Sequence, residues 1–492
     1  MIIKSNPEEF QDYLSDAANF KGECQKVFFP ESNEDILLIV HEANEKSIPI
    51  AIAGNRTGLT GSSVPLSGYV IATNNLNKII EINKENKFAI VEPGVLLSEF
   101  QAKIKEAGLF YPPDPTETNC FMGGTIATNA SGAKSFKFGP TRNFVEMLEV
   151  ILATGEILTL IRGENKVQNG MLNLITDSGT AIELEIPSIK SPKTKNAAGY
   201  YLTQHLDAID LFIGSEGTLG LITKIKLRLI DPPQNIFSTV LFFEDELKAL
   251  QFVKSARGKS KDQNQLLDAL GLEFFDKRAL NFLSKAYPNI PTSANSAVWI
   301  EQSYTDDSAE DVFGSWIELA DKFDADIDNS WSAMTDSERA KFVDFRHAIS
   351  WKINEYITQK GLHKVGTDTA VPEDQFEIFY HFAQKIVTQN KLEFVTYGHF
   401  GDCHIHLNML PKNSEELKTA KKLYGVICRK AVELGGTISA EHGIGKLKRD
   451  YFMEMYGEDV IRQMAKLKRA LDPNGILSPG NIFDEKYLVN NA

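Results

Sequence analysis

Three of the nine histidines in this 492-residue chain, His399, His404 and His406, lie within one eight-residue stretch. Residues 396–410 around them are predicted to form an extended strand. Side chains two positions apart in a strand share a face, so His404, His406 and Asn408 are expected to point the same way. His399 can join them only if Gly401-Asp402 bends the chain, which a Gly-Asp pair does readily. The stretch is therefore a candidate cluster of imidazoles.

A second polar segment, residues 435–445, places Glu441 next to His442 in a loop bordered by glycines. Imidazoles and a carboxylate together form a ligand set for zinc or a similar divalent ion. The same histidines are equally compatible with surface or core residues whose hydrogen bonds are satisfied within the protein. Spacing alone leaves both interpretations open.

Three segments in the first half of the chain are rich in glycine and other small residues: 54–62, 122–132 and 213–220. Small residues let the backbone approach a ligand closely, and successive N–H groups in such a loop form a concavity that suits a phosphate. The first segment is neither a Walker loop nor the GxGxxG pattern of Rossmann folds. One such loop is equally well a surface turn, but three in one domain indicate a long phosphate-bearing cofactor lying against the backbone.

The elements that must position these residues are a mixture of helices and strands. Hydrophobic periodicity predicts helices at 34–46, 96–107, 309–323, 417–434 and 459–471, strands at 48–53, 69–72, 88–91 and 225–229, and a β-hairpin at 145–152 and 156–160. Asp231-Pro232-Pro233 stops the last of these strands and marks a domain boundary. After it, the glycine motifs give way to strands separated by charged helices.

The composition excludes several classes of protein. The chain has 42% apolar and 24% charged residues, and its length predicts about three domains. The net charge of −14, without a basic stripe, argues against nucleic-acid binding. Four scattered cysteines without a CxxC argue against a disulfide framework or a self-contained iron–sulfur cluster.

The sequence also predicts where the protein works. No run of 18 apolar residues occurs, so no membrane span is expected, and the first ten residues lack an apolar signal region. A cytoplasmic location follows, with peripheral attachment to the inner face of the membrane as the alternative. The oligomeric state is left open, with a homodimer as one candidate.

Taken together, residues 54–62, the block that runs from Pro112-Pro113 to Gly132, and Ser-Glu-Gly-Thr-Leu-Gly at 215–220 resemble the vanillyl-alcohol-oxidase / p-cresol-methylhydroxylase type of FAD-binding fold. Their order and spacing are similar to the branch of D-lactate dehydrogenases, glycolate-oxidase flavin subunits and D-2-hydroxyglutarate dehydrogenases. The resemblance covers residues 26–483. It implies an α+β fold with a two-part FAD-binding domain over residues 1–233. A substrate or cap domain with an antiparallel sheet would span 234–416, and a helical segment over 417–492 would return to the flavin.

The resemblance implies a set of FAD-contacting residues. The pyrophosphate would lie on Gly54, Asn55, Arg56, Thr57, Gly58, Leu59, Thr60, Gly61 and Ser62. The flavin and ribityl chain would contact Pro113, Asp114, Gly123, Gly124, Thr125, Asn129, Ser131, Gly132 and Arg142, the adenine side Glu216, Gly217, Gly220 and Ile222, and the closing turn would bring Asn481.

Two departures from the family pattern bear on how FAD is held. Asn55-Arg56 replaces the more usual glycine, and Arg56 could pair with a phosphate. Relatives with covalent FAD have a histidine in the first loop, which this chain lacks, so non-covalent FAD is expected. Asn481 stands where the family more usually has lysine.

By the same resemblance, a divalent metal, with zinc as the first choice, would be bound by His399, His406 and Glu441, and His442 would be the catalytic base. The substrate acid would be held by Arg346, Lys364, Thr367 and Asn408. Arg is suited to this because its planar fork binds both carboxylate oxygens. The family typically has Gly-Asn where this chain has Cys403-His404. His404 could add a ligand, hydrogen-bond the substrate or merely fill the site.

The implied function is oxidation of a D-2-hydroxy acid to its 2-oxo acid, with D-lactate preferred over D-2-hydroxyglutarate and glycolate. The metal would lower the pKa of the substrate hydroxyl, His442 would take its proton, and a hydride would pass to FAD. An external acceptor such as a quinone, a cytochrome or an electron-transfer flavoprotein would reoxidise the flavin. The alternatives are a non-redox alkyl/acyl-exchange transferase of the same fold and an FAD-holding subunit of a larger complex.

Overall fold

The computed structural model describes residues 1–262 and 265–488, and within them the chain forms four β-sheets and thirteen α-helices. The architecture is α+β, as the sequence predicts. None of the helices so described has the length and apolar character needed to cross a bilayer.

The first sheet has a parallel core. Its strands are β1 (Ile2–Lys4), β2 (Lys26–Phe29), β3 (Ile50–Ala53) and β4 (Tyr69–Ala72), in the order β1-β2-β4-β3. β4 pairs in parallel with both β2 and β3. Helix α1 (Asn33–Glu45), capped by the Ser32 hydroxyl, connects β2 to β3 and buries Ile36 and Val40 against this sheet. Because β3 ends at Ala53, the first glycine loop leaves from the carboxyl edge of parallel strands, where ligands commonly bind.

The second sheet is antiparallel and carries the other glycine segments. Its strands are β5 (Ile79–Asn83), β6 (Phe88–Val91), β7 (Val145–Ile151), β8 (Ile157–Ile161) and β11 (Leu221–Arg228). The strands β9 (Met171–Ile175) and β10 (Ala181–Glu185), which lie between β8 and β11 in the chain, form a separate two-stranded sheet. The helices are α2 (Leu97–Glu106), α3 (Met122–Ala127), α4 (Ser135–Phe138) and α5 (Ala208–Phe212). The predicted hairpin is confirmed as β7–β8. Its turn depends on Gly155, which has a φ of +84° and would bring a Cβ to 2.4 Å from His41.

The chain enters a third, larger sheet at Asn235. Its strands are β12 (Asn235–Phe243), β13 (Ala269–Asp276), β14 (Ser296–Tyr304), β15 (Ala325–Ala333), β16 (Val365–Gly366), β17 (Thr369–Ala370), β18 (Phe394–Gly398) and β19 (His404–Met409). The helices are α6 (Glu246–Lys261), α7 (Lys277–Ser284), α8 (Ala309–Lys322), α9 (Asp336–Thr358) and α10 (Phe376–Gln389). The order is β15-β12-β14-β13-β18-β19-β16, with β17 beside β19. β13 is buried along its whole length, so its carboxylates Glu273 and Asp276 must find partners inside the protein.

The last part of the chain returns to the first sheet. Helices α11 (Ser414–Glu433), α12 (Arg449–Tyr456) and α13 (Glu458–Leu471) precede a coil. In that coil, Leu477 pairs in parallel with Ile50, and Ser478 N donates to Ile50 O at 2.7 Å. Buried Lys468 of α13 donates to the carbonyls of Thr218 and Leu477, which joins the helix to the third glycine segment.

The histidine-rich stretch differs from the prediction. The single strand expected over residues 396–410 is wrong, because β18 and β19 form an antiparallel hairpin around a short turn at Phe400–Asp402. Gly398 at φ +147° and Cys403 at φ +55° turn the chain there. Fully buried Arg257 of α6 fixes the turn, because its guanidinium donates to the carbonyls of Phe400 and Gly401.

Candidate active site

The hairpin brings three imidazoles together. His399 lies in the turn, and His404 and His406 lie on one face of β19, with ring centroids 4.3 Å apart. The centroid of His399 is 5.3 Å from that of His404 and 5.5 Å from that of His406. One ligand atom from each of these residues and from Glu441 can be chosen so that all four lie within 4.8 Å of one another. Such a buried set of nitrogen and oxygen donors fits a divalent transition metal or zinc.

Glu441 reaches the cluster from the loop between α11 and α12. The buried carboxylate of Asp368 organises this loop, since it accepts hydrogen bonds from the backbone N–H groups of Glu441 and His442 and from the Ser439 hydroxyl. Lys448 Nζ, 2.7 Å away, balances the charge of Asp368. The loop is therefore held in place by a residue that lies between β16 and β17 of the large sheet.

Each imidazole has one nitrogen near an anchoring oxygen and the other nitrogen towards Glu441. His399 Nδ1 is 2.6 Å from Glu273 Oε1, and its Nε2 is 3.2 Å from Glu441 Oε1. His406 Nδ1 lies 3.3 Å from the carbonyl oxygen of Thr367, and its Nε2 lies 3.8 Å from Glu441 Oε2. Histidines that bind metals usually show this arrangement, because the outer partner fixes the ring.

Burial and neighbouring charges set the protonation of the cluster. Burial alone would lower the pKa of His399, but Glu273 and Glu441 outweigh it and raise the pKa to about 9, so a metal that binds this ring must displace its proton. Burial, together with the neighbouring His404, lowers the pKa of His406 well below its usual range, so this ring is neutral at pH 7. Burial would raise the pKa of Glu441, but His399 and Lys195 hold it well below its usual value, so Glu441 is anionic.

Three residues of this site, Glu273, Asp368 and Lys195, were not found by sequence reasoning. Lys195 Nζ lies 2.5 Å from Glu441 Oε1 and 3.2 Å from Asp402 Oδ2. No motif marks Lys195 or Asp368. Glu273 does leave a signal, because it is the one carboxylate within the otherwise apolar run of residues 269–275.

Of the four predicted substrate anchors, two have their side chains at the imidazole cluster and two do not. Arg346 and Asn408 lie at the cluster: Arg346 Nη2 is 3.1 Å from His399 Nδ1, and buried Asn408 follows His406 on the same face of β19. The Thr367 hydroxyl donates to Ile405 O and accepts from Leu407 N, so it serves the pairing of the strands. Lys364 is half-buried and makes no hydrogen bond or ion pair with any residue that the structure describes.

The guanidinium of Arg346 is already bound to two side chains of the protein. Its Nε forms a 2.9 Å ion pair with Glu273 Oε2, while Nη1 donates to the hydroxyl of Thr116 at 2.9 Å. The contact with Thr116 is exposed, whereas that with Glu273 is buried. Glu273 therefore joins Arg346 and His399 through its two oxygens.

His442 stands at the edge of the cluster. Its ring is stacked on that of His406 at 5.8 Å, and its side chain is 30% exposed. Nδ1 lies 3.2 Å from Asp368 Oδ2, which leaves Nε2 free to face a substrate. This is a geometry suited to a general base.

The glycine loops leave space where a cofactor is expected. A Cβ placed on Gly54 or Gly58 would meet its nearest atom only at 3.8 Å, and one on Gly124 would meet nothing within 4 Å. Arg56 Nη1 is buried and has no hydrogen-bond partner in residues 1–262 or 265–488, although the guanidinium stacks 4.2 Å from the centre of the Tyr13 ring. Open glycines beside a guanidinium nitrogen that lacks a hydrogen bond fit the pyrophosphate of FAD.

Other glycines of these segments are required by packing. A Cβ on Gly132 would lie 2.1 Å from Asp114 O, one on Gly123 2.6 Å from Pro93, and one on Gly220 2.3 Å from Val150. Gly61 and Gly217 have positive φ angles of +76° and +72°. The predicted segments thus combine glycines that face open space with glycines that let the loops pack.

Several predicted FAD-contacting side chains instead tie the loops to one another. The Arg142 guanidinium is bound to Asp210 and to the carbonyl of Ile213. Glu216 accepts hydrogen bonds from Ile444 N and Gly445 N, both at 2.7 Å, and burial raises its pKa to about 7.

Asn481 makes a similar connection. Its amide donates to Ser62 O and to Glu216 O, and its oxygen accepts from Lys446. The first and third glycine segments are thereby linked to the loop that carries Glu441.

The remaining predicted positions lie within or close to these segments and support their shape. Asn55 donates to Asn119 O, Thr60 O accepts from Lys446 N, Pro113 O accepts from Gln101, the Asp114 carboxylate accepts from Lys134 N, the Thr125 hydroxyl donates to Met122 O, and the Asn129 side chain accepts from Arg142 N. Leu59 is exposed, Thr57 half-buried, and Ile222 buried in β11. Ser131 has a further contact, because its hydroxyl donates to Glu441 Oε1 at 3.1 Å. This bond joins the second glycine segment to the imidazole cluster.

Two family models match parts of the chain. The family described as FAD linked oxidases, C-terminal domain, matches residues 232–482, and the family described as FAD binding domain matches residues 24–161.

Curated relatives match along nearly the whole chain at 29% identity. Glycolate oxidase subunit GlcD of Bacillus subtilis aligns over 98% of this chain and 96% of its own length. D-lactate dehydrogenase of Anaerostipes hadrus aligns over 96% and 92%, and D-2-hydroxyglutarate dehydrogenase of Stutzerimonas stutzeri over 93% and 90%.

Solved structures share the fold. A 4-ethylphenol oxidase from Gulosibacter chungangensis superposes with a TM-score of 0.69 at 18% identity, over 98% of this chain and 95% of that chain. An alkyldihydroxyacetonephosphate synthase superposes with a TM-score of 0.68 at 16% identity, over 97% and 82%. The p-cresol-methylhydroxylase type of FAD-binding fold, predicted from the glycine segments, is confirmed.

Proposed function

Because this chain belongs to the family of FAD-linked oxidases, we propose that it oxidises a D-2-hydroxy acid to the 2-oxo acid and passes the electrons to non-covalently bound FAD. D-Lactate is the first candidate substrate, and D-2-hydroxyglutarate and glycolate are the alternatives. Relatives named for these three activities are equally similar to the chain, at 29% identity, so similarity does not rank the substrates.

The observation that carries the proposal is the position of the imidazole cluster. His399, His406 and Glu441 converge beside His442, and Ser131 of the second glycine segment donates to Glu441 at 3.1 Å. A base and a buried donor set thus lie next to the segments expected to hold the flavin. A histidine cluster that only stabilised the fold would not need to lie beside the glycine segments.

The residues divide the work between binding and proton transfer. Arg346 can exchange its exposed bond with Thr116 for the substrate carboxylate, while the buried bond to Glu273 keeps the guanidinium in place. Asn408 lies on the same strand face for a polar contact with the acid. His442 Nε2 accepts the hydroxyl proton, and Asp368 holds the ring through Nδ1.

Two bound groups supply the remaining chemistry. A divalent metal held by His399, His406 and Glu441 would make the substrate hydroxyl more acidic, and FAD would accept the hydride. The described contacts place neither the Lys364 nor the Thr367 side chain at the cluster. Their role as substrate anchors therefore stays a prediction. An external quinone, cytochrome or electron-transfer flavoprotein would reoxidise the flavin.

The deciding experiment is an anaerobic screen of D- and L-2-hydroxy acids against the FAD-loaded protein, with and without chelator. A D-2-hydroxy acid should bleach the flavin absorbance, and chelator should suppress the bleaching. A flavin that none of the acids reduces would contradict the proposal and would favour the non-redox transferase. Bleaching that occurs only when partner proteins are added would favour a subunit of a larger complex.

A further inference from the structure

His404 is the most deeply buried of the clustered imidazoles. Its exposure is 0%, and neither ring nitrogen has the geometry of a hydrogen bond within the residues that the structure describes, although Nε2 lies 3.0 Å from Asp368 Oδ1. Buried polar groups in proteins nearly always have partners, so an imidazole left in this state requires an explanation. The residue occupies a position that the resemblance to the family leaves without a role.

We propose that His404 is a fourth protein ligand of the divalent ion. This chain would then hold its metal with three imidazoles and one carboxylate. The inference rests on the metal site of the proposed function and adds a ligand to it. Among the described residues, the ligand atoms of His399, His404, His406 and Glu441 form one group within 4.8 Å.

The orientation of the His404 ring supports this role. Nδ1 points to the cluster, 3.9 Å from Glu441 Oε1, and Nε2 lies 3.0 Å from Asp368 Oδ1. At that distance a modest turn of the ring gives a hydrogen bond to the carboxylate. Nδ1 would then be the nitrogen that binds the ion.

All three imidazoles share this pattern of an outer oxygen and an inward nitrogen. The outer oxygens belong to Glu273 for His399, to Asp368 for His404 and to the Thr367 carbonyl for His406. In metal sites, the outer partner of each ligating histidine is typically a carboxylate or a carbonyl. His404 matches the two predicted ligands in this respect.

The other two roles open to His404 fit less well. A residue that merely fills the site would be apolar, whereas His404 has a buried ring nitrogen, Nδ1, that faces Glu441 without a hydrogen bond. A residue that binds the substrate needs an accessible polar atom, yet both ring nitrogens of His404 are buried, whereas the side chain of His442 is 30% exposed.

A fourth ligand changes which ions suit the site. Four protein ligands would complete a tetrahedral zinc site and leave no position for a substrate. An ion that takes six ligands and binds imidazole, such as Mn²⁺, Fe²⁺ or Co²⁺, would keep two positions open. We therefore expect the working ion to be one of these rather than tetrahedral zinc.

The test uses the full-length, FAD-loaded protein, stripped with chelator and titrated with Co²⁺. Affinity is measured by competition with a chromophoric chelator, and the imidazoles around cobalt are counted by X-ray absorption. Wild type should show three imidazoles. His404→Asn should show two and lose more than the roughly 10–100-fold in affinity that loss of an outer partner typically costs.

His363→Asn, which alters an exposed histidine, is the matched control and should leave the affinity unchanged. Flavin content reports whether each variant folds. If His404→Asn does not retain FAD, His404→Gln and the imidazole count of wild type still decide the question.

The outcomes separate this inference from the proposed function. Two imidazoles in wild type, or unchanged affinity in a folded His404 variant, would overturn the fourth ligand and leave the hydroxy-acid chemistry standing. Failure of wild type to bind any divalent ion would overturn both metal assignments. Three imidazoles in a protein whose flavin no hydroxy acid reduces would support the fourth ligand and refute the proposed substrate.

Discussion

His442 differs from the clustered imidazoles in its access to solvent, since its side chain is 30% exposed while that of His399 is 3% exposed. It is also held by a buried carboxylate, Asp368, at 3.2 Å. A ring that is both oriented and accessible can exchange a proton with a bound substrate. His399 and His404 are buried and His406 is only 15% exposed, so these three rings are better placed to bind an ion than to move protons.

Replacing the proposed base should slow the chemistry and leave the cofactor in place. His442→Asn is expected to reduce the rate of anaerobic flavin reduction by about 10²–10⁴-fold, the usual effect of losing a general base. Stopped-flow absorbance gives the rate, and the flavin-to-protein ratio should match that of wild type. His363→Asn is the control. Reduction of the His442 variant at the parental rate would rule out this role.

Glu273 has two partners in the candidate site, because its one buried carboxylate contacts both Arg346 and His399. Glu273→Gln would leave Arg346 buried without its counter-charge. Breaking a buried ion pair in this way typically costs about 3–5 kcal/mol. The variant should therefore unfold at lower temperature or denaturant concentration at pH 7.

The pH dependence of that loss has a definite sign. Burial would raise the pKa of Glu273, but Arg346 and His399 outweigh it and hold the pKa below its usual value of about 4.5. The stabilisation is thus fully present above pH 4.5 and declines as the pH falls towards the folded-state pKa. The difference between wild type and Glu273→Gln should shrink below pH 4.5. An equal difference at all pH values would contradict the role of Glu273 in the ion pair. Glu355→Gln, on the exposed part of α9, is the control and should have little effect on the free energy of unfolding.

At the scale of elements, regular patterns were predictable and irregular ones were not. The amphipathic helix expected at 309–323 is α8, at residues Ala309–Lys322, and the strands expected at 69–72 and 88–91 match β4 and β6. Each has one buried face or a continuous apolar run that local sequence displays. The strand predicted over 396–410 is interrupted at Phe400–Asp402, where Gly401-Asp402 allows a bend. The sequence did not show that Arg257 of a distant helix fixes this turn.

The loop that carries Glu441 depends on glycine where it meets the first glycine segment. Gly445 has a φ of +51°, and a Cβ there would lie 2.2 Å from Thr60 O. Gly445→Ala should push the two loops apart and weaken FAD retention, which flavin fluorescence on dilution measures.

The matched control is Gly258→Ala in α6, where an added Cβ meets nothing within 4 Å. This variant should keep its flavin. Its free energy of unfolding should rise by up to about 1 kcal/mol, because alanine has a higher helix propensity than glycine at an exposed position. Equal flavin retention by both variants would show that the contact between the loops is unimportant.

At the scale of the whole molecule, the candidate site gathers side chains from distant parts of the chain. Lys195, Glu273 and Asp368 meet Glu441 or its neighbours, although more than seventy residues separate each from it. The sequence shows residue types and local spacing, so the imidazoles and glycine segments could be predicted. It does not show which strands pair, so the carboxylates that orient the imidazoles could not.

The glycine segments are held together by polar side chains, among which Asn481 joins Ser62, Glu216 and Lys446. Open space remains beside Gly54, Gly58 and Gly124. A cofactor that fills this space would bind the folded state alone and stabilise it by RT ln(1 + [L]/Kd), about 2.7 kcal/mol at a hundredfold excess over Kd. Titrating FAD into the apoprotein should therefore raise the midpoint of thermal unfolding steadily with the logarithm of the FAD concentration.

FMN lacks the pyrophosphate-linked adenosine and should raise the midpoint less, because the first and third glycine segments would stay unfilled. A midpoint that FMN raises as much as FAD would mean that the flavin ring alone is bound and that the glycine segments serve only the packing of the fold.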